Sequence, residues 1–91
     1  MQQRTVIINN RLGLHARAAA KLVRLAGSYT SEVTLTRCDR REQSADARSI
    51  LAVLMLAASQ HTQIELTING VDEQLAMEAL CQLIDDKFGE N

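Results

Sequence analysis

The chain has no proline and no tryptophan, and Tyr29 and Phe88 are its only aromatic residues. Proline-rich linkers are thereby excluded. Binding modes that stack bases or sugar rings on aromatic faces are disfavoured. Cysteine is equally scarce: Cys38 and Cys81 stand far apart, in no CxxC or other metal-ligand spacing. Long apolar runs are missing too. The longest, Ile50–Ala58, is about half of the ~18 residues that suggest a membrane span. The opening residues MQQRTVIINN hold no signal-peptide core. Together these absences predict a soluble, cytoplasmic protein with reduced thiols. Low-complexity tracts and internal repeats are also lacking.

What is present is an aliphatic core in a short chain. Of the 91 residues, 46% are hydrophobic, mostly Ala, Leu, Val and Ile. That length suits a single domain over residues 1–91. Net charge is −1 but unevenly spread. Residues 1–48 hold nine Lys/Arg against four Asp/Glu, a net +5, and residues 49–91 hold one against seven, a net −6. One basic face can therefore attract an acidic partner while the chain stays near neutral. The excess is too small to indicate nucleic acid.

The β-branched run Thr5–Ile8 predicts a buried strand over 3–9. A turn at 9–13 follows, then a helix from Ala16 whose stripe is Ala19, Leu22, Val23 and Ala26. Gly27 is its expected stop. Residues 32–36 alternate as a strand, and a short third strand is placed at 41–46. Ser49 is positioned to cap a helix over 50–56, with Val53 and Leu56 turned to the core. Residues 63–69 form a fourth strand, ended by Gly70. Asp72 is placed to cap a last helix with Leu75, Ala79, Leu80, Leu83 and Ile84 as its core face. The order βαββαβα implies a largely antiparallel sheet with helices on one face. It leaves a ferredoxin-like arrangement and other open-faced sandwiches equally open.

The chemistry lies in Leu12-Gly13-Leu14-His15-Ala16-Arg17-Ala18-Ala19-Ala20-Lys21. A glycine-containing loop runs into a helix, and His15 stands at the junction. Unpaired N–H groups and the positive end of the helix dipole make this a ready anion site. Histidine can form a covalent intermediate. Arg17 is two residues on and can bond phosphate oxygens in a bidentate way. A nucleophile, backbone donors and a fixed positive charge are the parts that phosphoryl transfer needs. His61 reads as an exposed loop residue without a metal partner, and Tyr29 and Phe88 as packing residues.

The segment LGLHARAAAKLV resembles the signature of HPr-type phosphocarriers of the bacterial phosphotransferase system, Gly-Leu-His, then Ala or Thr, Arg and usually Pro-Ala. Ser49-Ile50-Leu51 falls where that family has its second motif, and the length and element order match. The resemblance implies the HPr open-faced sandwich, a four-stranded antiparallel sheet covered on one face by three helices. It further implies a carrier, not an enzyme, with no cofactor or metal of its own. His15 would take a phosphoryl group on Nδ1 from an enzyme I-type donor that draws on phosphoenolpyruvate. It would pass the group to an EIIA-type acceptor. Arg17 and the amides of Ala16 and Arg17 would stabilise the phosphate. Ala18 replaces the usual proline, which gives up a preset helical φ and adds an N–H. The Ala-Ala-Ala form resembles the nitrogen-branch relatives, NPr, whose output is regulation. The sugar branch is the alternative.

Arg17, Lys21 and Arg24 share one helix face beside His15. With Ala20, Ile50, Leu51 and Leu54 they form the expected docking face, the last three predicted to be exposed. Ser49 is a candidate for regulatory phosphorylation by an HPr kinase, which would add negative charge at that face. A monomer is expected, because transfer needs an open His15. Two rivals remain: a small anion-binding hydrolase of the acylphosphatase kind, and a regulator that works by binding alone.

Overall fold

The computed structural model describes residues 1–90. In chain order the elements are β1 (Gln2–Ile7), α1 (Ala16–Gly27), β2 (Glu32–Arg37), β3 (Ser44–Asp46), α2 (Ile50–Met55), β4 (Gln63–Asn69) and α3 (Glu73–Asp85). A 3₁₀ turn, Lys87–Gly89, follows α3. The strands form one sheet in the order β1-β4-β2-β3, and every neighbouring pair is antiparallel. A ferredoxin-like sheet would place β1 in the interior; here β1 is an edge and β4 and β2 are central.

Period-two alternation decides which face is covered. Val6 and Ile8, Val33 and Leu35, Ala45 and Ala47, and Ile64, Leu66 and Ile68 are buried against the helices. Thr34, Thr36, Glu65 and Thr67 lie on the open face and are half-exposed. The predicted buried strand at 3–9 is corrected here. It runs from Gln2 to Ile7, and Ile7 is exposed, because an edge strand of a sheet covered on one side hides only alternate residues. The third strand shrinks from 41–46 to Ser44–Asp46, since residues 41 and 42 belong to the turn.

Two helix details differ from expectation. Gly27 is the last residue of α1, and the helix ends through Ser28 in the right-handed region. Ser28 satisfies the free carbonyl of Leu25 with both its N–H and its hydroxyl, so no left-handed glycine is needed. In α3 the buried stripe is Ala76, Met77, Leu80, Cys81 and Ile84, while Leu75 is exposed and Ala79 and Leu83 are half-buried. Small Ala76 and Cys81 allow the helix to approach the sheet closely. A ranking by hydrophobicity alone prefers Leu75 and misplaces the face.

Asp72 stands at the N-cap of α3 but makes no capping bond. Its carboxylate accepts instead from the N–H groups of Thr30 and Ser31 at 2.9 and 3.0 Å, and from the Ser31 hydroxyl. It ties the α1–β2 turn to the start of α3. Ser49 does cap α2 as expected, accepting the Ala52 N–H at 3.1 Å. Val53 and Leu56 are buried, Phe88 is fully buried, and Tyr29 packs against the core. Cys38 and Cys81 are both free thiols.

Candidate functional site

The loop before α1 is held by backbone bonds. Gly13 N–H donates to Asn10 O at 3.1 Å, His15 N–H to Gly13 O at 2.9 Å, and Leu14 N–H to Ala58 O at 2.8 Å. The last bond anchors the loop to the chain leaving α2. Gly13 has φ +69°, in the left-handed region, and a β-carbon there would meet Ala58 O at 2.5 Å. The buried Asn10 amide donates to Gly13 O at 2.6 Å. The loop therefore has one conformation to offer.

That conformation makes His15 the N-cap of α1, with extended φ −75° and ψ 178°. Its Nδ1 accepts the Arg17 N–H at 3.3 Å. The N–H groups of Ala16 and Ala18 make no hydrogen bond to another described residue. Three backbone donors and one ring nitrogen thus gather at the positive end of a three-turn helix. The Arg17 guanidinium is exposed and makes no ion pair within the described residues.

The other ring nitrogen has a partner that sequence reasoning missed. His15 Nε2 lies 2.7 Å from Glu90 Oε1. Glu90 also accepts from Asn10 Nδ2 at 2.9 Å. The Asn10 amide first, and His15 second, hold the Glu90 carboxyl below its ordinary range. The two partners are 75 and 80 positions away from Glu90, so no spacing in the chain signals the contact. With Nδ1 accepting and Nε2 facing a carboxylate, the ring is set as the Nε2–H tautomer, its Nδ1 lone pair turned to the helix end.

Around this point the residues expected to form a docking face divide. Arg17 and Arg24 are exposed, but Lys21 is half-buried and donates to the Phe88 carbonyl at 2.6 Å. Ala20 is half-buried. Ile50 and Leu51 are exposed as expected, at 41% and 67%. Leu54 is not: it packs against the core, because a six-residue helix must bury one side and Leu54 lies next to buried Val53. Met55 and Leu12, both exposed, add apolar surface that the sequence reading did not assign. Ser49 is exposed at the start of α2. Arg37, also unassigned, donates to the carbonyls of Leu56 and Ala57 and pairs with Asp39, closing the end of α2. His61 is exposed in its loop.

Among the described residues no helix is long and apolar enough to cross a membrane, and no cluster of three or more His, Cys, Asp or Glu forms a metal site.

A family model described as "PTS HPr component phosphorylation site" matches residues 2–86. The phosphocarrier protein HPr of Cupriavidus necator is 50% identical over 90 residues, covering 99% of this chain and 98% of that protein. The phosphocarrier protein NPr of Shewanella violacea is 43% identical over 88 residues, covering 97% and 93%. A crystal structure of HPr from Thermoanaerobacter tengcongensis superposes with a TM-score of 0.91 at 36% identity, covering 100% of this chain and 99% of that one.

Proposed function

The chain belongs to the HPr family of phosphocarrier proteins, and from that premise we propose that His15 takes the phosphoryl group on Nδ1. The observation that carries this reading is the N-cap position of His15, with Nδ1 directed at the Arg17 amide. The Nδ1 lone pair attacks phosphorus as the donor's bond to phosphorus breaks, and that bond's electron pair stays with the donor. The Arg17 N–H, released from Nδ1, then turns with the Ala16 N–H to the phosphoryl oxygens. The Arg17 guanidinium adds a fixed positive charge. Onward transfer runs the same step in reverse toward the acceptor.

The donor is an enzyme I-type protein charged by phosphoenolpyruvate, and the acceptor is an EIIA-type protein. Arg17, Arg24, Ile50 and Leu51 offer them a basic and apolar face. The carrier works in the cytoplasm as a monomer. Two observations favour the regulatory nitrogen branch: the Ala18-Ala19-Ala20 run, and the similarity to an NPr. The 50% identity to a protein named HPr favours the sugar branch as the second reading. Ser49, exposed at the head of α2, is the candidate target of an HPr kinase.

The test is intact-mass spectrometry after incubation with phosphoenolpyruvate, Mg²⁺ and each enzyme I type in turn. One acid-labile phosphoryl group, absent from His15→Ala, is the expected result, with the nitrogen-branch donor the faster. No gain with either active donor refutes the assignment of His15.

A further inference from the structure

The chain leaves α2 by a route that its residue types do not favour. Ala57 has φ +51° and His61 φ +76°, both in the left-handed region, and neither is glycine. A β-carbon disfavours that region, so each residue must be held there by its surroundings. His61 is held from the sheet side: its N–H donates to Ile8 O at 2.6 Å, and Ile8 N–H donates to Thr62 O at 3.0 Å. At Ala57, the other end of the segment, the hold comes from a side chain. Arg37, the last residue of β2, donates from Nη1 to Leu56 O at 2.9 Å and to Ala57 O at 3.3 Å. One nitrogen thus spans the peptide units on either side of the Ala57 α-carbon. The guanidinium is itself fixed, because its Nε and Nη2 donate to the two oxygens of Asp39 at 2.9 and 2.8 Å. Its side chain is only 13% exposed.

Ala58 comes next in the chain. Its carbonyl receives the Leu14 N–H at 2.8 Å and lies beneath Gly13, where a β-carbon would meet it at 2.5 Å. Leu14 immediately precedes His15. We propose that Arg37 is a positioning residue for phosphoryl transfer: by bridging the carbonyls of Leu56 and Ala57 it fixes the Ala58 carbonyl under the loop that carries His15, and so sets where the His15 ring stands when the donor arrives. The proposal rests on His15 as the acceptor. Arg37 serves the site through Ala58 and Leu14 and not through contact with phosphate. Lysine cannot replace it fully, since an ammonium lacks the planar fork that binds Asp39 and the carbonyls together. Ile50 and Leu51 begin α2, whereas Leu56 ends it. Loss of Arg37 therefore disturbs the placement of the ring more than the face that meets a partner. Misplacement of a reacting group lowers the rate of the step and not the binding that precedes it.

The experiment uses the full chain and its Arg37→Ala, Arg37→Lys and Arg37→Ala/Ala57→Gly variants. It reads kcat and KM for the carrier as substrate of the charged enzyme I-type donor, together with hydrogen exchange at the Leu14 amide. Arg37→Ala should lose protection at Leu14, and its kcat should fall roughly tenfold at unchanged KM, less than the ~100-fold that a 1 Å misplacement can cost. Arg37→Lys should fall between native and alanine in both readouts. Glycine at position 57 takes the left-handed conformation without a steric penalty, so the double variant should recover part of the rate and part of the Leu14 protection. A native kcat in Arg37→Ala, or in Arg37→Lys should the alanine variant not fold, overturns the proposal while leaving His15 as the acceptor. A raised KM at native kcat also overturns it, and assigns Arg37 to the docking face through α2. A lowered kcat with Leu14 still protected, or no recovery in the double variant, refutes the route through Ala58. Absence of any phosphoryl group on native His15 removes the premise and the proposal together.

Discussion

Leu14 donates its backbone N–H to the carbonyl of Ala58 at 2.8 Å, and this bond joins the loop carrying His15 to the chain leaving α2. Gly13 passes over the same carbonyl with φ +69°, where a β-carbon would come within 2.5 Å of Ala58 O and 2.8 Å of Ser59 Cα. Gly13→Ala should therefore destabilise the fold by at least ~1–2 kcal/mol, the left-handed penalty alone. It should also slow phosphorylation of His15, because the clash is relieved only by moving the loop. Thermal unfolding and donor kinetics on one preparation check both effects.

Arg17 is the exposed cation nearest in sequence to His15, with no ion-pair partner among the described residues. Arg17→Ala should reduce the rate of phosphoryl gain by about 10- to 100-fold with little change in thermal midpoint. Arg17→Lys should recover only part of the loss, since an ammonium keeps the charge without the bidentate fork. Equal rates in the alanine and native proteins would remove Arg17 from the site.

Ser49 separates stability from docking. Ser49→Ala loses the bond to the Ala52 N–H and should cost ~0.5–2 kcal/mol. Ser49→Asp keeps a capping oxygen, so its thermal midpoint should stay close to native. It places a negative charge beside exposed Ile50 and Leu51, and phosphorylation of His15 by an acidic donor should slow. An unchanged rate in the aspartate variant sinks the regulatory reading.

Asp72 sets a pH window. The Ser31 hydroxyl, then the Thr30 amide, lower its carboxyl from 3.8 to about 2. A depressed folded-state value stabilises the fold above the unfolded value, and that contribution fades as pH falls from about 4 toward 2. Asp72→Asn should unfold at a lower temperature than native protein at neutral pH. The difference should close on acidification through that window. A constant difference down to pH 2 would show that the charge is not what Ser31 and Thr30 hold.

The corrected face of α3 is tested by two leucines. Leu80 is fully buried and Leu75 is exposed. Leu80→Ala should cost ~2–5 kcal/mol, whereas Leu75→Ala should stay within about 0.5 kcal/mol of native. Urea denaturation of the pair decides the matter.

Much of the architecture was legible along the chain because its signals are local. Strand alternation at 63–69, the serine before α2, and the glycine loop leading into α1 each depend on neighbours within a few positions. The placement of His15 and Arg17 at the head of α1 is legible for the same reason: a helix N-terminus and the two residues beside it form a unit of sequence. The failures share a different cause. Leu75 against Ala76 and Cys81 is a choice between two adjacent stripes of one helix, settled by how closely α3 approaches the sheet. Leu54 packs against the core instead of facing solvent, since a nearly all-apolar helix does not state in its sequence which side is inward. Asp72 has the type and position of a cap, yet its strongest partners are 41 and 42 positions away.

The order of elements, the one-sided sheet and the histidine at a helix end follow from residue type and short-range spacing. Which strand becomes the edge, which leucine reaches water and what stands behind His15 do not. Those were decided only when the chain closed on itself: burial of Phe88 bends residues 87–89 into a left-handed turn, and that turn sets Glu90 against a histidine 75 positions earlier. Contacts of that range depend on the packing of α1 against α3, and packing is a property of the assembled core.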